Sequence, residues 1–156
     1  MAGHGSERLE LSSLQDLYQQ VILDHYRRPR NKSPLEDATH TLTLNNPLCG
    51  DVIDLMLKLE GERIAAVHFE GRGCSISQAS ASMMSGALKG RTVPEALRIM
   101  DTFTRMLHGD SAAAADNDLG DLRALAGVSK FPVRVKCALL AWNCLEELVG
   151  SDTSDS

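Results

Sequence analysis

Thr39-His40-Thr41-Leu42-Thr43-Leu44-Asn45-Asn46-Pro47-Leu48-Cys49-Gly50-Asp51-Val52-Ile53-Asp54-Leu55-Met56-Leu57-Lys58-Leu59-Glu60 is the stretch that decides the fold. From Thr39 to Leu44 the residues alternate, with His40, Leu42 and Leu44 on one face and threonines on the other. This is the pattern of a half-buried strand. Pro47 and Gly50 build a turn. Beyond it Ile53, Leu55, Leu57 and Leu59 alternate with Val52, Asp54, Met56, Lys58 and Glu60, giving a second strand. Gly61-Glu62 makes a tight turn, and Arg63 to Gly71 gives a third strand. Three consecutive strands with short connections form an antiparallel meander.

The meander has a chemical consequence. Its first strand ends, and its second begins, at the turn that holds Cys49 and Asp51. The third strand returns to that same edge, so Gly71-Arg72-Gly73-Cys74 arrives beside them. From Ser75 the pattern becomes helical and rich in small residues, ending at Gly90. Cys74 therefore stands at a helix N-terminus, where the dipole favours a thiolate.

Leu14, Leu17, Tyr18, Val21, Ile22 and His25 recur at spacings of three and four, one face of a first helix. Ser12 or Ser13 is available to cap it, and Pro29 ends it at Arg28. Thr92-Val93-Pro94-Glu95 is a capping-box signature that opens a helix running to about His108. Gly109 to Gly120 reads as an acidic, small-residue loop, with Leu119, Leu122 and Leu125 suggesting a short helix just after it. Pro132 opens a last helix that carries Cys137 in its second turn and closes at Gly150. The expected fold class is α+β, a three-stranded antiparallel sheet packed against about five helices. Residues 1–12 are expected to be a flexible start, 13–149 a single domain and 150–156 a disordered tail.

Composition narrows the function class. The chain has 156 residues, 43% of them hydrophobic, and a formal net charge of −5. That charge argues against nucleic acid or an anionic membrane as partner. Arg27, Arg28 and Arg30 form the one dense basic cluster and read as a solvated helix end. The opening residues lack the apolar core of a signal peptide. The longest apolar run, Cys137 to Trp142, falls far short of the ~20 residues that span a bilayer. A cytoplasmic protein is expected, and in that reducing compartment its four cysteines point to metal or thiol chemistry rather than disulfides.

Cys49, Asp51, Cys74 and Cys137 together supply three thiolates and a carboxylate, a set suited to tetrahedral zinc. Three cysteines that merely pack are the competing reading of the same residues. Their summed charge exceeds that of a dication, so nearby cations are wanted. Arg134 and Lys136 flank Cys137 and could supply them, or could be ordinary surface charge. Cys144 lies on the same helix face as Cys137 but about 10.5 Å further along the axis. One ion with Zn–S bonds near 2.3 Å cannot take both, so Cys144 reads as a small buried hydrophobe. His4 falls in the expected flexible start, and His25, His40, His68 and His108 show no ligand-like spacing to a cysteine and read as structural.

Several stretches match one family. Leu17-Tyr18-Gln19-Gln20-Val21-Ile22-Leu23-Asp24-His25-Tyr26 with Pro29-Arg30-Asn31, Asn46-Pro47-Leu48-Cys49-Gly50-Asp51, Gly73-Cys74-Ser75-Ile76-Ser77 and Arg134-Val135-Lys136-Cys137 resemble the NifU-like/IscU family of iron–sulfur cluster assembly proteins. The resemblance runs from about Leu14 to Leu148. IscU-type scaffolds carry a histidine immediately before the third cysteine, where this chain has Lys136. The interval from Cys74 to Cys137 is also longer than in those scaffolds, with the surplus placed between Gly109 and Leu125. Both departures resemble the SufU branch, zinc-dependent sulfur-transfer proteins that work with a SufS-like cysteine desulfurase.

The resemblance implies a three-stranded antiparallel sheet covered by helices. It assigns zinc to Cys49, Asp51, Cys74 and Cys137, makes Cys49 the sulfur acceptor, and has Arg134 support the active site. It also implies a cysteine desulfurase as donor, a downstream SUF scaffold as recipient, and a monomer or weak dimer. In that branch a partner histidine takes the zinc position that the acceptor vacates. Two other readings stay open: a scaffold carrying a transient iron–sulfur cluster, and a zinc-stabilised adaptor without turnover.

Overall fold

The structure, a computed structural model, describes residues 15–150. The expected flexible start, the cap at Ser12 or Ser13, His4 and residues 151–156 of the expected tail lie outside the described residues. The elements in order are α1 (Ala2–Arg27), β1 (His40–Asn46), β2 (Asp51–Glu60), β3 (Arg63–Arg72), α2 (Ser75–Leu88), α3 (Val93–Leu107) and α4 (Ser111–Ala114). A 3₁₀ segment (Asn117–Lys130) and α5 (Pro132–Ser154) follow.

The sheet has the expected order β1-β2-β3, antiparallel throughout. Leu42 pairs with Leu55 across β1 and β2, and Leu55 with Phe69 across β2 and β3. The alternation of β2 sends Ile53, Leu55 and Leu57 into the core, fully buried, where they meet Val67 and Phe69 of β3. Helix α2 lies against β3, while α5 lies against β1 and β2.

Helix α2 is buried almost all round, from Ser77 through Ser85. A helix covered on every side suits a sequence of Ala, Ser and Met, whose small or pliable side chains let neighbours approach closely. It touches β3, α1, α5 and the 3₁₀ segment. Its buried hydroxyls are used. Ser80 Oγ donates to the carbonyl of Ala138 at 2.6 Å and accepts from Trp142 Nε1 at 3.2 Å. Ser82 Oγ takes the Arg30 N–H and bonds His25 Nδ1, each at 2.8 Å. These contacts pin α5 and the end of α1 to one central helix.

The capping box forms as expected, with Thr92 and Glu95 bonding each other's backbone N–H groups. Two expectations are corrected. Gly109 to Gly120 is not simply a loop. Asp110 caps the single turn α4, and Asp116 caps the 3₁₀ segment, which breaks at Gly120 (φ 53°). Gly150 does not end α5, which is still helical there; one glycine costs a helix only about 1 kcal/mol. Leu17 is 55% exposed although it shares a face with Tyr18, Val21 and Ile22, because the covering elements meet α1 only from Tyr18 onward.

Candidate metal centre

The site begins with the turn that closes β1 onto β2. The carbonyl of Asn46 accepts the N–H of Cys49 at 3.2 Å and of Gly50 at 2.8 Å. Its side-chain Oδ1 accepts the N–H of Leu48 at 3.2 Å. Gly50, at φ 71°, supplies the left-handed residue that completes the reversal. Leu48 at the tip is 70% exposed, and Cys49 beside it is half-buried.

Asn46 pairs with Asp51 in the β1–β2 register, and Val52 with Arg72 in the β2–β3 register. The strand ends therefore meet at one edge. Asp51 is fully buried there. Its Oδ1 accepts the N–H of Cys74 at 2.8 Å, and its Oδ2 lies 3.9 Å from Cys74 Sγ. Gly73 makes this approach possible: a Cβ there would overlap Asp51 Oδ1, and its φ of 149° suits glycine. Cys74 is the N-cap residue of α2 without a capping side chain of its own.

Helix α5 delivers the third sulfur. Cys137 Sγ is 3.1 Å from Cys49 Sγ, well beyond a disulfide bond of about 2.05 Å. Asn46 Nδ2 donates to Cys137 Sγ at 3.9 Å. One ligand atom from each of Cys49, Asp51 and Cys137 lies within 4.8 Å of the others. Cys74 stands beside Asp51, outside that tightest trio. Burial first, then the neighbouring Cys49, Asp51 and Cys74 groups, hold the Cys137 thiol far above its ordinary range. Packed acids of one sign resist ionisation, and a bound dication reverses that preference.

The other expectations fall as follows. Arg134 and Lys136 are both exposed, and among the described residues neither bonds a site group. Arg134 borders an apolar groove with Ile22, Ile76, Val128 and Phe131. Cys144 is fully buried, its thiol facing the Ile53 carbonyl, and takes no part in the cluster. His25 bonds Ser82 and Asp121, His68 bonds Ser33, and His108 bonds the Thr104 carbonyl. Sequence reasoning gave no role to Asn46 or Gly73. The Asn-Pro step marked a turn without showing that the amide reaches a sulfur 91 residues away.

With this geometry in view, the comparisons with known proteins are consistent. The NifU-like N-terminal domain matches residues 17–138. Zinc-dependent sulfurtransferase SufU of Bacillus subtilis is 49% identical over 141 residues, covering 90% of this chain and 95% of that one. Iron–sulfur cluster assembly scaffold protein IscU of Streptococcus pyogenes is 45% identical, covering 90% and 87%. A crystal structure of a candidate SUF-system assembly scaffold from Fervidobacterium islandicum superposes with a TM-score of 0.75. It is 34% identical and covers 82% of this chain and 93% of that one. A buried Cys/Asp cluster at the sheet edge, in a chain so matched, places the protein in the NifU-like N-terminal domain family of iron–sulfur cluster assembly proteins.

Proposed function

We propose that this protein is a zinc-dependent sulfurtransferase of the cytoplasm, taking persulfide sulfur from a cysteine desulfurase and passing it on for iron–sulfur cluster assembly. The observation that carries the reading is the convergence of Cys49, Asp51 and Cys137 within 4.8 Å, with Cys74 bonded to the same carboxylate. Thiolates and a carboxylate suit a borderline-soft dication. Among the described residues no lysine or arginine pairs with buried Asp51, so a bound cation is the missing countercharge. Cys49, Asp51, Cys74 and Cys137 would hold zinc, which when bound keeps the sulfurs deprotonated.

The acceptor is Cys49. Its thiolate attacks the outer sulfur of the partner's cysteine persulfide. The S–S bond breaks and its electron pair leaves on the partner's cysteine. Cys49 keeps the outer sulfur, with its proton, as a new persulfide. Cys49 rides a half-buried turn, whereas Cys137 is buried in α5 and Cys74 is fixed at the start of α2. By the family resemblance Arg134, exposed in the first turn of α5, would support the active site, although it bonds no site group among the described residues.

The scaffold reading is favoured by the name of the Streptococcus relative. Against it stands Lys136, exposed and cationic where the family's scaffolds place a histidine. Metal analysis of anaerobically purified protein, with its visible spectrum, separates the two. One zinc per chain, lost in Cys74→Ala and Cys137→Ala but kept in Cys144→Ser, supports transfer. A stoichiometric coloured cluster that moves intact to a ferredoxin lacking one supports the scaffold.

A further inference from the structure

We propose that the apolar groove beside the metal centre is the seat of the protein that donates the persulfide, taking an apolar side chain of a donor segment whose neighbouring carboxylates meet the cations on the groove's rim. This deepens the transfer reading and rests on it.

The groove lies between α1, α2 and the 3₁₀ segment, lined by Ile22, Ile76, Val128 and Phe131. The chain ties it to the site. Ile76 follows Cys74 by two residues, and Arg134 on the rim precedes Cys137 by three. Its volume of about 340 Å³ admits the side chains of a short segment. Five large hydrophobic residues are exposed among the described residues, and three of them stand next to the ligands or on the approach to them. Leu48 adjoins Cys49, while Phe131 and Val133, 59% and 54% exposed, lead into the helix that carries Cys137. One exposed leucine is ordinary, but a cluster around a single site marks a contact surface.

Charge decides the occupant. Lys130, Arg134 and Lys136 are exposed on the same approach, and among the described residues none of them has an ion-pair partner. In a chain of net charge −5, unpaired cations beside an apolar groove suit a partner that brings carboxylates. A second copy docked face to face would set these cations against one another, where like charges repel. A free small persulfide needs no such surface. A protein donor does, because its persulfide must be held at Cys49 while the thiolate attacks.

Gly127 provides a clean variant. It lines the groove, and a Cβ built on it meets nothing within 4 Å. Gly127→Leu therefore fills the groove without a clash in the fold, and Phe131→Ala removes one wall at an exposed position. Each zinc-loaded full chain is titrated into a SufS-like cysteine desulfurase with excess cysteine. Each is separately given glutathione persulfide, which transfers its outer sulfur to Cys49 and leaves as glutathione thiolate. In both variants the concentration for half-maximal stimulation should rise about tenfold, the scale of an anchor residue at an interface, with maximal turnover kept. Lys130→Glu should raise it too, by a factor that shrinks with added salt. Sulfur loading of Cys49 from glutathione persulfide, zinc content and circular dichroism should stay at wild-type values. An unchanged half-saturation in the two groove variants overturns the docking, and an unchanged one in Lys130→Glu overturns the acidic occupant. Equal losses with both donors overturn it as well, since the groove would then shape the site itself. Variants that load normally from the desulfurase but hand sulfur on slowly assign the groove to the recipient instead. A wild type that neither stimulates the desulfurase nor takes sulfur on Cys49 overturns the transfer reading and this inference together.

Discussion

The sulfur of Cys137 lies 3.1 Å from that of Cys49, although 88 residues separate them in the chain. Neither residue's local sequence specifies this meeting. It follows from α5 packing over β1 and β2, which sets Cys137 above the turn that joins those strands. The register of α5 is therefore part of the chemistry, and it is held by Ser80.

Ser80→Ala should reduce stability by about 1–3 kcal/mol, because the indole N–H of Trp142 then has no partner in a fully buried setting. Denaturant unfolding measures the loss. The variant should also bind metal more weakly, since the bond to Ala138 lies one residue from Cys137. Unchanged metal affinity would show that α5 keeps its register without Ser80.

Gly73→Ala should disturb the site more than the fold. The new methyl overlaps Asp51 Oδ1, and the backbone must hold a φ that L residues avoid. Such strain costs on the order of 1–3 kcal/mol. Calorimetry should show the lower transition temperature, and metal analysis a protein depleted of zinc. A Gly73→Ala chain with full metal content would mean that Asp51 is not held as described.

Cys144 should behave as core. Burial is the main cause pushing its thiol from 9.0 up to about 12. The unfolded chain loses that proton near pH 9 while the native chain keeps it. Its contribution to stability is thus full below pH 9 and declines as pH rises from 9.0 to about 12. Stability curves of wild type and Cys144→Ala should run parallel below pH 9 and converge above it. Iodoacetamide should spare Cys144 in the native protein at neutral pH.

Much of this architecture was legible because β-strands advertise themselves by alternation. Thr39 to Glu60 fixed the hairpin within two residues, and the return of β3 brought Cys74 to Asp51. Cys137 was reached only through its residue type and the family resemblance, since no local pattern encodes a helix packing across a sheet. The leucines announced the later part of the 3₁₀ segment, but the turn α4 and the segment's start at Asn117 escaped notice because alanines and glycines mask a structure that Asp110 and Asp116 start by capping. Arg134 and Lys136 were sought as counterions, but an early turn of α5 turns both outward to solvent.

The central claim is that Cys49 carries the transferred sulfur, and the most direct measurement is desulfurase turnover with excess cysteine, read together with the location of the added sulfur. The account predicts that wild-type protein and Cys144→Ser stimulate turnover, that Cys49→Ala does not, and that brief exposure leaves one extra sulfur on the peptide containing Cys49. Full stimulation by Cys49→Ala, or the extra sulfur on Cys144, would contradict it.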